Sequence, residues 1–117
     1  MSAASRVFEL IGQPMSGVAF VHDYVEFHFD GMILRALTNP KIVSGRGQFS
    51  FPGPGSRDAL CDLIGRVVSS VSVRELDCIE VRFDGDAIVR VPLSQAERAG
   101  PEAAHFVQGE NQPIEVW

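Results

Sequence analysis

A chain of 117 residues and 12.8 kDa falls within the size of one domain and is long enough to bury a core without a metal or disulfide. Its 45% hydrophobic and 21% charged residues exclude disordered, collagenous and coiled-coil classes. Ten basic against fifteen acidic residues give net charge −5 and a pI near 5.0, the wrong sign for gripping phosphate backbones, so no nucleic-acid partner is expected.

From the N-terminus, Met1 to Arg6 lack the basic start and apolar stretch of a signal peptide. Charged residues or glycine interrupt every hydrophobic run before the ~20 apolar residues that cross a bilayer. The expectation is a cytoplasmic protein with no membrane partner. Residues 14–21, 24–29 and 33–38 read as strands, rich in β-branched and aromatic side chains. Asp30-Gly31 between the last two is a two-residue hairpin turn. That turn sets Phe29 against Met32, Phe27 against Leu34 and Val25 against Ala36, one apolar face, and on the other face sets Glu26 against Arg35.

Residues 40–55 carry three prolines and four glycines and read as a loop, with at most a short strand around Gln48-Phe49-Ser50-Phe51. Ser56 then caps a helix over 57–64, ending at Gly65. Further strands precede and follow Asp84-Gly85-Asp86. A three-residue loop there pairs Phe83 with Ala87, Val81 with Val89 and Ile79 with Val91, and again sets Glu80 against Arg90. A bulged turn with glycine in its last position would shift the loop by one residue and lose that ion pair. Ser94-Gln95-Ala96-Glu97 is a capping box for a turn or two of helix, stopped at Gly100-Pro101, and 104–107 with 114–117 form a final hairpin.

The chain repeats itself. Leu10-Ile11-Gly12 returns as Leu63-Ile64-Gly65, Ser16 and Val18 as Ser69 and Val71, Glu26 as Glu80, Phe29-Asp30-Gly31 as Phe83-Asp84-Gly85, and Arg35 as Arg90. These are ten identities over about 28 positions, where average residue usage gives roughly two. The expected fold is all-β with two short helices: internally duplicated antiparallel three-stranded units, packed as a sandwich or partly open barrel, plus a C-terminal hairpin. A single domain divides into repeat one (about 10–39), loop and helix (40–64), repeat two (about 63–93) and the C-terminal helix and hairpin (94–117).

The duplicated Leu-Ile-Gly openings, the paired Phe-Asp-Gly turns and the closing Glu115-Val116-Trp117 resemble a family of small bacterial proteins of unknown function. The resemblance covers residues 10–117. Its motifs are turns and strand starts, so it implies a fold and no activity. The tail Gln108-Gly109-Glu110-Asn111-Gln112 departs from the more glycine- and proline-rich turn of that family.

Side chains that carry chemistry are few. Cys61 and Cys78 are too few for a disulfide or zinc framework and read as two reduced, buried thiols. His22-Asp23 falls in a tight turn, and His105 has no nearby acidic or cysteine partner in sequence. Glu26, His28 and Arg35 share one sheet face, where a carboxylate can orient an imidazole near neutral pH, although Arg82 stands at the place of His28 in the second copy. Gly45-Arg46-Gly47 offers backbone N–H groups and a guanidinium to an anion, but without a phosphate-loop ending. Asp84-Gly85-Asp86 is too short for a calcium loop. No Gly-x-Ser-x-Gly elbow occurs, and Ser16 and Ser69 read as solvent-facing strand positions. Phe49 and Phe51 lie on one side of an extended segment, filling the core or anchoring a partner. No cofactor is implied. The leading expectation is a non-catalytic module that binds a protein or a second copy of itself; the rival is a small-molecule site between the repeats, lined by Glu26, His28 and Arg35.

Overall fold

The computed structural model describes residues 5–22, 24–109 and 111–117. Ten strands run through them: β1 (Gly17–Val21), β2 (Tyr24–Phe29), β3 (Met32–Ala36), β4 (Lys41–Ser44), β5 (Gly47–Ser50), β6 (Val68–Arg74), β7 (Cys78–Phe83), β8 (Ala87–Pro92), β9 (Ala104–Val107) and β10 (Ile114–Val116). A single helix, α1 (Ser56–Cys61), and two 3₁₀ turns, Arg6–Leu10 and Gln95–Glu97, complete the described elements. The strands form two five-stranded antiparallel sheets, ordered β1-β2-β3-β9-β10 and β5-β4-β8-β7-β6, arranged as an open sandwich.

Local turn chemistry fixes both central hairpins. Asp30 and Gly31 take positive φ (49° and 94°), as a two-residue turn between twisted strands requires, and β2 pairs with β3 in the expected register. In the second hairpin Asp86 takes φ 65° beside Gly85, the loop is three residues long, and Phe83, Val81, Ile79 and Glu80 meet Ala87, Val89, Val91 and Arg90. The one-residue slip does not occur, because it would turn Ile79, Val81 and Phe83 out of the core.

Other expectations need correction. The segment taken for a loop holds a full hairpin, β4–β5, with Lys41 opposite Ser50 and Ser44 opposite Gly47. The helix is shorter than predicted, and Gly55 at φ 79°, not Ser56, is its N-cap; Ser56 is buried and its hydroxyl donates to the Gly53 carbonyl instead. The capping box makes only a 3₁₀ turn with no side-chain cap bond. The turn over Arg6–Leu10 was not foreseen; Ser5 starts it by accepting from the Val7 N–H.

Neither sheet is built from one half of the chain alone. Meander β1-β2-β3 takes the late hairpin β9–β10 as its fourth and fifth strands, while β6-β7-β8 takes the early hairpin β4–β5. The halves meet through matched backbone bonds. Gly12 N–H donates to the Val68 carbonyl and Gly65 N–H to that of Met15, both at 2.8 Å; Met15 N–H donates to Arg66 at 3.0 Å and Val68 N–H to Gln13 at 2.9 Å. Each bond becomes its partner when the two half-chains are exchanged at an offset of 53 residues, and Pro14 faces Val67 at the centre. Gly12 and Gly65 hold φ 88° and 91°, where a β-carbon is strained, which explains why the Leu-Ile-Gly motif needs its glycine twice.

Inward positions of both sheets feed one core. Val25, Phe27, Phe29 and Leu34 from the first sheet meet Ile42, Ile79, Val81, Phe83 and Val89 from the second, with Leu10, Leu60 and Leu63 closing it. At the centre the rings of Phe29 and Phe83 stack with centroids 6.5 Å apart. Either ring truncated leaves a cavity that its neighbours cannot fill, so Phe29→Ala and Phe83→Ala are each expected to cost about 3–5 kcal/mol. Because they share a contact, the double variant should lose less than the sum in urea denaturation; strict additivity would show that the two rings are independent.

Candidate functional site

Alternation along β2 sends Val25, Phe27 and Phe29 inward and leaves Tyr24, Glu26 and His28 on the outer face of the first sheet. There Glu26 lies directly across from Arg35, which in turn lies across from His105 on β9. The carboxylate of Glu26 accepts from Arg35 Nε at 2.9 Å and meets His28 Nε2 at 3.1 Å. Arg35 Nη1 lies 3.0 Å from His105 Nδ1, and the other ring nitrogen of His105 lies 3.2 Å from Glu102. The ring of Tyr24 covers the Arg35 guanidinium, 5.4 Å from ring centroid to guanidinium carbon. The Glu26–His28–Arg35 cluster therefore exists, and it extends to two residues that sequence reasoning missed. His105 does have an acidic partner, Glu102, three residues before it; that spacing was the available signal. The cluster faces away from the second sheet, so it does not line a cavity between the repeats.

The matching face of the second sheet is built on Glu80, whose side chain is only 5% exposed. Arg82 Nε and Arg90 Nε each donate to it at 3.1 Å, and Arg74 Nη2 at 3.4 Å. Burial opposes ionisation of Glu80, but the Arg90 hydrogen bond and the charges of Arg90, Arg82 and Arg74 outweigh it and hold the carboxyl below its usual range. Glu26 follows the same logic: burial raises it, while Arg35 and His28 bring it below the usual range. On this same face the Cys78 thiol is pushed up by burial and then by Asp77, which keeps it protonated and weakly nucleophilic.

The remaining candidates lie apart. Arg46 reaches across to Asp62 just beyond α1 and joins no other candidate. Phe49 packs against the core with its ring lying over Gly55, where a β-carbon would come within 2.8 Å of it. Phe51 also packs against the core and stacks on Phe20 of β1 at 5.8 Å, with the Arg57 guanidinium over both rings. Cys61 is exposed, not buried as expected, because it sits on the outer side of α1. Ser69 lies in a register shift between Val68 and Ser70 and donates to the Arg82 carbonyl, and Ser16 accepts from the Asp30 N–H; both sit at strand starts. Asp23 of the His22-Asp23 turn and Glu110 of the tail lie outside the described residues. Among the described residues, no cluster of three or more metal-ligating side chains occurs, and no helix is long and apolar enough to cross a membrane.

Four strands form the sheet edges: β1 and β10 in the first sheet, β5 and β6 in the second. Strand β6 carries Arg74 and the register shift, and its start is covered by the Gly12 and Gln13 backbone. β10 is three residues long with Glu115 at its centre, and β5 is four residues long with exposed Gln48 and Ser50. Only β1, Gly-Val-Ala-Phe-Val, combines five residues, no charge and no internal register shift. Among the described residues, no backbone bond from outside its ladder reaches it, and Phe20 and Val21 stay more than a third exposed.

Comparison with protein-family models, characterised proteins and solved structures finds no match to this chain.

The two lowered carboxylates couple stability to pH. Their folded-state values lie below the ordinary 4.5, so their contribution is complete above about pH 4.5 and is lost as pH falls below it. Urea midpoints should therefore fall between pH 6 and pH 3, and Glu80→Gln should flatten that fall while lowering stability at pH 7. An unchanged pH profile in Glu80→Gln would remove Glu80 from this account.

Proposed function

We propose that the protein works as a non-catalytic binding module that associates with a second copy of itself through the β1 edge. The observation that carries this reading is the contrast among the four edges. An unpaired strand edge is a template for another chain, and folded proteins blunt it with charge, bulges, prolines or shortness. Three edges here carry charge, a register shift or shortness; β1 carries none of these, and only its Phe20 end is flanked, by α1 with Arg57 and by Phe51.

A second copy fits this edge better than an unrelated strand does. In a two-fold pair the same strand faces itself, so any charge would meet its own like. β1 has none, which suits a chain whose net charge of −5 otherwise repels its copy. Antiparallel pairing centred on Ala19 would place Val18 across from Phe20 of the second copy, and the two first sheets would run on as one ten-stranded sheet. The exposed parts of Phe20 and Val21 would then be covered, with Arg57 and Phe51 flanking the seam. The chain's own halves meet through reciprocal backbone bonds of the kind an isologous dimer makes, which supports descent by duplication of a self-pairing unit. Membership in the small bacterial family suggested by the repeats and by Trp117 belongs to the same reading.

Light scattering coupled to size exclusion should give a mass near twice 12.8 kDa at micromolar concentration. Ala19→Lys sets like charges opposite each other across the two-fold and should shift the protein to monomer with its melting temperature at high dilution unchanged. A wild-type monomer at about 100 μM, or a dimer indifferent to Ala19→Lys, would sink the proposal.

A further inference from the structure

The two outer faces are laid out in the same register around a glutamate–arginine pair, and they differ in what fills the place two residues before the glutamate. Tyr24 stands two residues before Glu26 on β2, and Cys78 stands two residues before Glu80 on β7. Across the ladders Val21 faces Tyr24 and Arg74 faces Cys78, while His105 faces Arg35 and Lys41 faces Arg90. In the first sheet the Tyr24 ring fills this place and lies on Arg35. In the second sheet the small Cys78 leaves it open. A cavity of about 290 Å³ remains there, walled by Lys41, Arg74, Arg90, Asp77 and Glu97, and among the described residues no ring covers Arg90.

We propose that this cavity binds a free aromatic α-amino acid, whose ring lies on Arg90 as the Tyr24 ring lies on Arg35. Its volume is at the lower end of small-molecule sites and suits one amino acid. The wall charges define the rest of the ligand. Lys41 pairs with Glu97 at 3.3 Å and Arg74 with Asp77 at 3.6 Å, all four side chains more than a third exposed. Such pairs are weak in water and open at little cost. A zwitterion exchanges them one for one: its carboxylate takes Lys41 and Arg74, and its ammonium takes Asp77 and Glu97. A bare anion would satisfy the cations and strand two carboxylates. Arg74 and Arg90 also hold Glu80 from below, which fixes their guanidinium groups before any ligand arrives. The site lies on the opposite sheet from β1 and does not depend on self-association.

Isothermal titration with L-phenylalanine tests this directly. One saturable site per chain is expected, with L-alanine, phenethylamine and N-acetyl-L-phenylalanine at least about ten-fold weaker, since each lacks the ring, the carboxylate or the ammonium. Cys78→Tyr should fill the hollow as Tyr24 does and abolish binding while the circular dichroism spectrum is retained. Lys41→Glu, at an exposed position outside the core, should weaken binding by at least about five-fold and serves as the second variant should Cys78→Tyr not fold. No saturable binding of L-phenylalanine up to about 10 mM, equal binding of L-alanine, or full affinity in either folded variant would overturn the proposal.

Discussion

The exchange of hairpins between the halves is the constraint on which the rest of the molecule depends. A three-stranded meander with one apolar face cannot bury that face alone. Here each meander is widened by a hairpin from the other half and covered by the other sheet, so the inward faces of both meanders share one core. The reciprocal bonds around Pro14 and Val67 set the two halves in register where they meet, and the Phe29–Phe83 stack fills the space between them. Both outer faces inherit their geometry from this arrangement. His105 reaches Arg35, and Lys41 reaches Arg90, only because β9 and β4 cross over.

Each outer face then solves the same electrostatic problem. A glutamate in mid-strand, flanked by apolar ladders, is largely withdrawn from water, and it stays charged because an arginine from the neighbouring strand meets it at hydrogen-bond distance. Glu26 and Glu80 thereby pin the register of their hairpins from the polar side while the phenylalanines pin it from the apolar side. The faces diverge around this shared pair. The first acquires two histidines and a covering tyrosine; the second acquires two further arginines, Arg74 and Arg82, a lysine and a hollow.

What could be read from the sequence is what is local. The registers of β2 with β3 and of β7 with β8 followed from turn residues and two-residue alternation, and with them the opposition of Glu26 to Arg35 and Glu80 to Arg90. The hairpin β4–β5 was hidden because its flanks are proline and glycine and its strands are four residues each, too short for periodicity to outweigh composition. The crossing of hairpins was not legible at all, since nothing in Lys41-Ile42-Val43 names β8 as its neighbour. For the same reason the contact of His105 with Arg35 and the hollow at Cys78 were out of reach: one spans 70 residues, the other depends on laying two faces over each other.

The crossing also sets an order of events during synthesis. The second sheet has all its strands once residue 92 has been made, since β4, β5, β6, β7 and β8 all lie before that point. The first sheet begins earlier and finishes last. Its β3 edge, with Ile33 and Leu34 ready to pair, waits for residues 104–116 to emerge. At translation speeds of about 5–20 residues per second, that edge is open to neighbouring nascent chains for several seconds, the interval in which unpaired strands aggregate. The strand that closes the molecule is thus also the one that ends its most vulnerable period.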